Sequence, residues 1–237
     1  ALPGGLLLDL PRGRIAAVND EFRIPRPGDA DLRVPAPGWR LPSTTKHAAG
    51  YFSAPGMDLV DLFIGSEGTL GIVTEITLKL LPRPRFVATA LVVFADVASA
   101  ARAVARVLAQ GVIPRVLELL DDVSLQAAAR TSPYRFPPEA GAALLVETDG
   151  NDEEQVFAEI ARVAELVQGE ARGEVLVAQN ESQRRDIWET RKFLSTNLKA
   201  LHPKKLSEDI AVPRSRIPEM VALTREIAGR HGLAVAT

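Results

Sequence analysis

One rhythm constrains this chain more than any other feature: strand, helix, strand, occurring twice between Phe86 and Ala178. Phe86–Phe94 is an unbroken apolar run of strand length. Asp96 then suits an N-cap, Val97, Ala101, Val104 and Leu108 recur at helical spacing, and Gly111 marks a stop. Arg115–Leu120 reads as the return strand. The second copy runs through a strand at Ala142–Thr148, a helix capped by Asn151 with Val156, Ile160, Val163 and Val167 inward, a stop at Gly169, and a strand at Glu174–Ala178. A short helical stretch, Asp121–Arg130, joins the copies, which share rhythm rather than letters. Paired β-α-β units joined in this way predict a ferredoxin-like α+β domain with an antiparallel sheet.

The flanks read less regularly. After the second copy, an amphipathic helix is expected from Asn180 to about Lys199, then a strand at Leu206–Val212. A helix from Ser215 to near Arg230 comes next, with Pro218 in its first turn, where the missing N–H does no harm, and then a short strand at Leu233–Ala236. Before the first copy, Pro82-Arg83-Pro84-Arg85 ends regular structure and marks a boundary between residues 1–85 and residues 86–237. Residues 1 to 45 are dense in proline and glycine. Pro25, Pro27, Pro35, Pro37 and Pro42 forbid a continuous helix there, leaving strand candidates only at Leu6–Leu10 and Ile15–Val18.

The stretch from Asp58 to Leu81 carries the functional signal. Asp58 suits an N-cap for a turn or two of helix containing Leu59, Leu62 and Phe63, and Ile72, Thr74, Ile76, Leu78 and Leu80 alternate like a strand. Between them lie Gly65, Gly68 and Gly71. Successive N–H groups in a glycine-rich turn form a concavity that binds anions such as phosphate. Glu67 would repel a phosphate if aimed at it, so it is expected to point away or to accept from a ribose hydroxyl. Thr69 is the better donor.

Read as a string, Leu62-Phe63-Ile64-Gly65-Ser66-Glu67-Gly68-Thr69-Leu70-Gly71-Ile72-Val73-Thr74 resembles the second flavin-contacting motif of FAD-linked enzymes of the vanillyl-alcohol-oxidase type. Its closest likeness is to the 2-hydroxy-acid dehydrogenase branch, the D-lactate dehydrogenases and glycolate oxidase flavoprotein subunits. Thr45-Lys46-His47-Ala48-Ala49-Gly50-Tyr51 resembles the segment that precedes that motif, although His47 stands where asparagine is common. Ser207-Glu208-Asp209-Ile210-Ala211-Val212-Pro213 resembles a strand of the family's substrate domain.

The resemblance implies FAD, with Lys46, Gly50, Gly65, Ser66, Glu67, Gly68, Thr69, Gly71, Ile72 and Val73 on the cofactor side. It implies that residues 1–85 are the C-terminal part of an FAD-binding lobe and residues 86–237 a truncated substrate (cap) domain. Trp188-Glu189-Thr190-Arg191-Lys192 resembles the segment bearing a substrate-binding arginine, which makes Arg191 the expected anchor for the carboxylate of a small D-2-hydroxy acid. Arg184, Trp188, Arg191 and Ser195 share one helical face, so a guanidinium over a ring is expected there, with Ser195 beside it. Asp209 is a further substrate-side candidate, although pairing of Glu208 and Asp209 with Lys204, Lys205 or a helix arginine is the expectation for both acids.

The family's earlier phosphate loop and later histidine-rich segments are not found, and the chain opens on Ala1. The expectation is a middle fragment that binds little or no FAD and does not turn over by itself, its catalytic base a histidine lying outside it. Two rivals stay open: a ferredoxin-like binding or oligomerisation module with no redox role, and an FAD oxidase acting on another alcohol.

Composition sets the remaining bounds. A net charge of −2 and a pI near 6.0 give no general attraction to nucleic acid or to an anionic membrane. With no cysteine there is neither a disulfide framework nor a thiolate. His47, His202 and His231 are far apart and fit no zinc spacing, so no metal site is read. No apolar run is long enough to cross a bilayer. The expected setting is cytoplasmic, with peripheral membrane attachment as the variant. The electron acceptor and a homo-oligomeric state are left open.

Overall fold

The computed structural model describes residues 7–26, 28–43 and 50–237. Contacts divide the chain into two units, residues 1–81 with 209–211, and residues 82–208 with 212–237.

In the first unit a hairpin of β1 (Glu21–Ile24) and β2 (Leu32–Pro35) pairs antiparallel with Phe22 opposite Val34. The proline density of this region hid the hairpin from sequence reading; Pro35 sits at its end, where a missing donor is tolerated. Neither expected early strand forms. Residues 7–10 have no regular structure, and Ile15–Val18 contributes only single bridges from Ala16 to Asp58 and from Val18 to Glu21. Helix α1 (Leu59–Phe63) begins at an Asp58 cap: one carboxylate oxygen accepts from Val60 N–H, the other from Gly13 N–H, while Asp61 reaches back to the Asp58 amide. Ile15, Phe22, Ile24, Met57 and Leu59 are the small core of this unit.

The second unit carries the double rhythm. Its elements are β3 (Phe86–Phe94), α2 (Val97–Ala109), β4 (Val116–Asp121), α3 (Asp122–Ala128), β5 (Ala142–Gly150), α4 (Glu153–Gln168) and β6 (Leu176–Val177). The four strands lie in the order β4-β5-β3-β6, every neighbouring pair antiparallel, which is the ferredoxin-like arrangement. The first helix is capped by Asp96 as expected, but α4 is capped by Asp152 rather than Asn151. Asn151 instead accepts from the Arg85 amide, so its side chain is engaged at the start of β3.

Both faces of the sheet are covered, which is why β3 and β5 read as continuous apolar runs. Ala88, Ala90, Val92 and Phe94 with Ala142, Leu144 and Val146 pack under α2 and α4. The opposite face presents Leu91, Leu120, Ala143 and Leu145 to Leu125 of α3 and to two further helices, α5 (Glu181–Lys192) and α6 (Leu194–Leu201). The single helix expected from Asn180 to Lys199 is broken at Phe193, the C-cap of one helix and the N-cap of the next. After a 3₁₀ turn at Arg214–Arg216, α7 (Ile217–Arg230) runs without a side-chain cap from Ser215.

Three expected strands are absent: residues 71–81, 206–212 and 233–236 take no regular structure. Alternation gives a strand one apolar face but supplies no partner for its N–H and C=O groups, and a lone strand is not stable in water. Ile76, Leu78, Leu80, Leu206 and Ile210 are accordingly exposed.

Candidate functional site

The glycine turn after α1 is built by backbone conformation. Gly65, Glu67 and Gly68 all have positive φ, at 77°, 50° and 78°, the region that glycine occupies without strain and that Glu67 occupies at a cost of roughly 1–2 kcal/mol. Within the turn, the amides of Ser66 and Thr69 donate to the carbonyls of Phe63 and Ser66. Those of Gly65, Glu67, Gly68, Leu70 and Gly71 have no acceptor among the described residues. A Cβ placed at Gly65 or Gly68 would meet nothing within 4 Å, so space is open beside these amides. Bare N–H groups with room alongside fit a diphosphate such as that of FAD.

Side chains around the turn differ from expectation in one respect. Thr69 Oγ1 donates to the Ser66 carbonyl at 2.6 Å and lies 2.7 Å from the Tyr51 hydroxyl, which must then supply the proton of that second bond. The threonine hydroxyl is engaged within the turn and pins Tyr51, rather than standing free as a donor. Ser66 is buried, Glu67 exposed, and Gly50 takes a φ of 83° just before Tyr51. Ile72 and Val73 are exposed. Lys46 lies outside the described residues.

The second cluster is the face of α5 that meets the sheet. Glu147 of β5 is fully buried, opposite Thr89 of β3 and Val116 of β4. Its Oε1 accepts from Thr89 Oγ1 at 2.6 Å, Trp188 Nε1 at 2.7 Å and Arg184 Nη1 at 3.4 Å. Oε2 has no hydrogen-bond partner among the described residues and lies 3.4 Å from Arg115 Nε. A buried carboxylate needs such company, because desolvation would otherwise exceed any gain. Hydrogen bonds from Arg184 to Glu181, and then its attraction to Glu147, outweigh burial and raise its pKa, so the guanidinium stays charged.

Further along the same helical face, Arg191 Nε donates to Glu118 Oε2 of β4 at 2.8 Å. The row Arg184, Trp188, Arg191 is thus matched by two sheet carboxylates. The expected stacking of an arginine on Trp188 is not observed, since the indole is drawn to Glu147. Cation–π contacts join Arg85 to Phe86 and Lys192 to Phe193 instead.

Ser195, beyond the break at Phe193, accepts from Lys205 Nζ at 3.2 Å, and Lys205 also reaches Ser207 Oγ at 2.8 Å. The pairing expected for Glu208 and Asp209 is absent among the described residues. Both are exposed, and a carboxylate in water needs no counter-ion. A cleft of about 240 Å³ bounded by Thr89, Phe86, Phe157, Asn180 and Arg184 adjoins the Glu147 cluster, sharing Thr89 and Arg184 with it, and neither Arg191, Ser195 nor Asp209 lines it.

Sequence reading misses Glu147 and Glu118, and takes Lys205 as a counter-ion for the acids that follow it rather than as a partner of Ser195. A signal for the two acids was present: in Ala143, Leu145, Glu147 and in Val116, Glu118, Leu120 an acid falls in phase with core residues on a strand face. Nothing in the letters around Lys205 announces its bond to Ser195.

No helix among the described residues is long and apolar enough to cross a membrane. Residues 83–237 match the model of the FAD linked oxidases, C-terminal domain. The chain is 35% identical over 182 residues to the glycolate oxidase subunit GlcD of Bacillus subtilis (strain 168), covering 77% of this chain and 38% of that protein. It is 30% identical over 181 residues to the D-lactate dehydrogenase of Anaerostipes hadrus, covering 74% of this chain and 38% of that one. It therefore spans well under half the length of these relatives. A solved alkyldihydroxyacetonephosphate synthase shares the fold, with a TM-score of 0.53 at 18% identity over 74% of this chain and 37% of that structure. With the family model spanning the whole double β-α-β unit and the helices α5 to α7 after it, the chain belongs to the FAD-linked oxidase family.

Proposed function

We propose that this chain is part of an FAD-dependent oxidoreductase that oxidises a small D-2-hydroxy acid, of the lactate or glycolate kind, to the 2-oxo acid. The observation that carries the reading is Arg191, a half-exposed guanidinium already directed at a carboxylate, in a chain whose relatives include a glycolate oxidase subunit and a D-lactate dehydrogenase. An arginine fork suits a carboxylate and fixes the substrate's orientation, which is what removal of a hydrogen from the carbinol carbon requires. Ser195, past the break at Phe193, adds a hydroxyl, and Lys205, bonded to it, adds a second cation. Asp209, exposed, is kept as a further substrate-side candidate on the family resemblance alone.

On the cofactor side, the backbone of Gly65 to Val73 would hold the diphosphate and adenosine end of FAD, with Ser66 and Thr69 bracing the turn and Gly50 and Lys46 nearby in sequence. Tyr51, bonded to Thr69, keeps the turn in its open-amide shape. The flavin, when bound, supplies the redox chemistry by accepting the hydride. The chain's own share is binding, orientation and charge.

The test is steady-state kinetics of the full-length flavoenzyme carrying Arg191→Ala. A carboxylate anchor predicts a rise in KM for D-lactate or glycolate of roughly 10- to 100-fold, the range for a hydrogen bond to a charged group. Arg191→Lys should recover part of it, because the charge returns without the fork. An unchanged KM in both variants would remove Arg191 from the substrate site.

A further inference from the structure

Arg191 already has a carboxylate. Its Nε donates to Glu118 Oε2, and the two side chains are 40% and 41% exposed. Its Nη groups have no acceptor among the described residues, so one edge of the fork is taken and the other is open. Glu118 stands on the edge strand β4 opposite Leu145, so pairing with β5 fixes its backbone while its side chain reaches the guanidinium it orients. Asp149, four residues further along β5 than Leu145, is drawn to Arg115 at 3.5 Å and is engaged away from the Glu118–Arg191 pair.

We infer that Glu118 is a specificity-determining residue, a built-in carboxylate that pre-orients Arg191, yields it to an incoming monocarboxylate, and repels a second negative charge on the ligand. This rests on the reading of Arg191 as the substrate anchor. An ion pair this exposed is weak, so replacing one carboxylate by another shifts the binding constant by no more than about fivefold. After the exchange Glu118 remains beside the ligand as an unpaired negative charge. A substrate with one carboxylate tolerates this, whereas one with two meets like-charge repulsion, which discriminates by penalising the wrong partner.

The experiment is an NMR titration of the ¹⁵N-labelled 237-residue chain with D-lactate and with D-malate at low salt. It tracks the Arg191 Nε–Hε signal, assigned by its loss in Arg191→Ala, and the Ser195 amide. The native chain should bind D-lactate more tightly than D-malate. Glu118→Gln should tighten D-lactate by about two- to fivefold and D-malate by more, narrowing the gap, while Glu118→Asp keeps the preference. Asp149→Asn should leave the ratio of the two affinities unchanged. If Glu118→Gln disturbs folding, Glu118→Ser serves as the second neutral variant. Affinities that stay equal or weaken in the neutral variants, with binding still lost in Arg191→Ala, overturn the role of Glu118 and leave the anchor intact. No response at Arg191 or Ser195 in either the native chain or the neutral variants overturns both.

Discussion

At the scale of single residues, the two sheet acids and one helix cap decide most. Glu147 gathers Thr89, Trp188, Arg184 and Arg115 around a carboxylate that sees no solvent. Removing it leaves two arginines and an indole N–H short of their acceptor, so Glu147→Ala is expected to cost about 3–5 kcal/mol, read from the urea midpoint. Glu147→Gln, which can still accept from Trp188, should cost less. Asp96 gives a pH test. The Ser99 amide, aided by the Ser99 hydroxyl, holds its carboxyl below the usual range. A folded-state pKa that is depressed stabilises above the unfolded value and loses that contribution as pH falls through the folded one. The stability gap between native chain and Asp96→Ala should therefore be flat from neutral pH down to about 4, at about 0.5–2 kcal/mol, and narrow below it. A gap that widened with acid would contradict the cap. Asp96 was legible because a cap is a local event, whereas Glu147 needed three other elements before its burial could be seen.

Among the elements, those whose partners lie within the double rhythm were legible and the others were not. Strands β3 and β5 and helices α2 and α4 appear where the periodicity placed them, because their apolar faces find each other across one sheet. The stretches 73–80, 206–212 and 233–236 alternate just as well but pair with no strand among the described residues, and the alternation alone could not reveal that. Helix α5 shows the opposite failure, a continuous pattern interrupted at Phe193 so that Leu194 and Leu198 can reach the sheet face. The entry to β5 is fixed by close approach: a Cβ on Gly141 would lie 2.0 Å from the carbonyl oxygen of Ala95, a backbone atom with little freedom to retreat. Gly141→Ala is expected to lose about 1–3 kcal/mol or more, visible as a drop in Tm. An unchanged Tm would mean that the turn between α3 and β5 can re-form around a side chain.

For the whole molecule, the division near Leu81 makes a prediction about unfolding in parts. Residues 73–81 are exposed and without regular structure, and Lys79 lies among them. Limited trypsin digestion should cut first after Lys79 and leave a product beginning at Leu80 that unfolds cooperatively, since exposed irregular backbone is cleaved before packed elements. Early cuts at Arg106 or Arg162, inside α2 or α4, would show that the sheet unit is not the stable one.

The order of strands and helices in residues 86–178, the glycine turn after Asp58 and the family itself were written in the letters, because periodicity, caps and positive-φ glycines act over a few residues. Which acids face α5, that Arg191 is held by Glu118, that Thr69 is bound to Tyr51 rather than free, and which alternating runs become strands were decided only by the tertiary structure. Each depends on a partner brought from a distant part of the chain, and no local pattern specifies a partner.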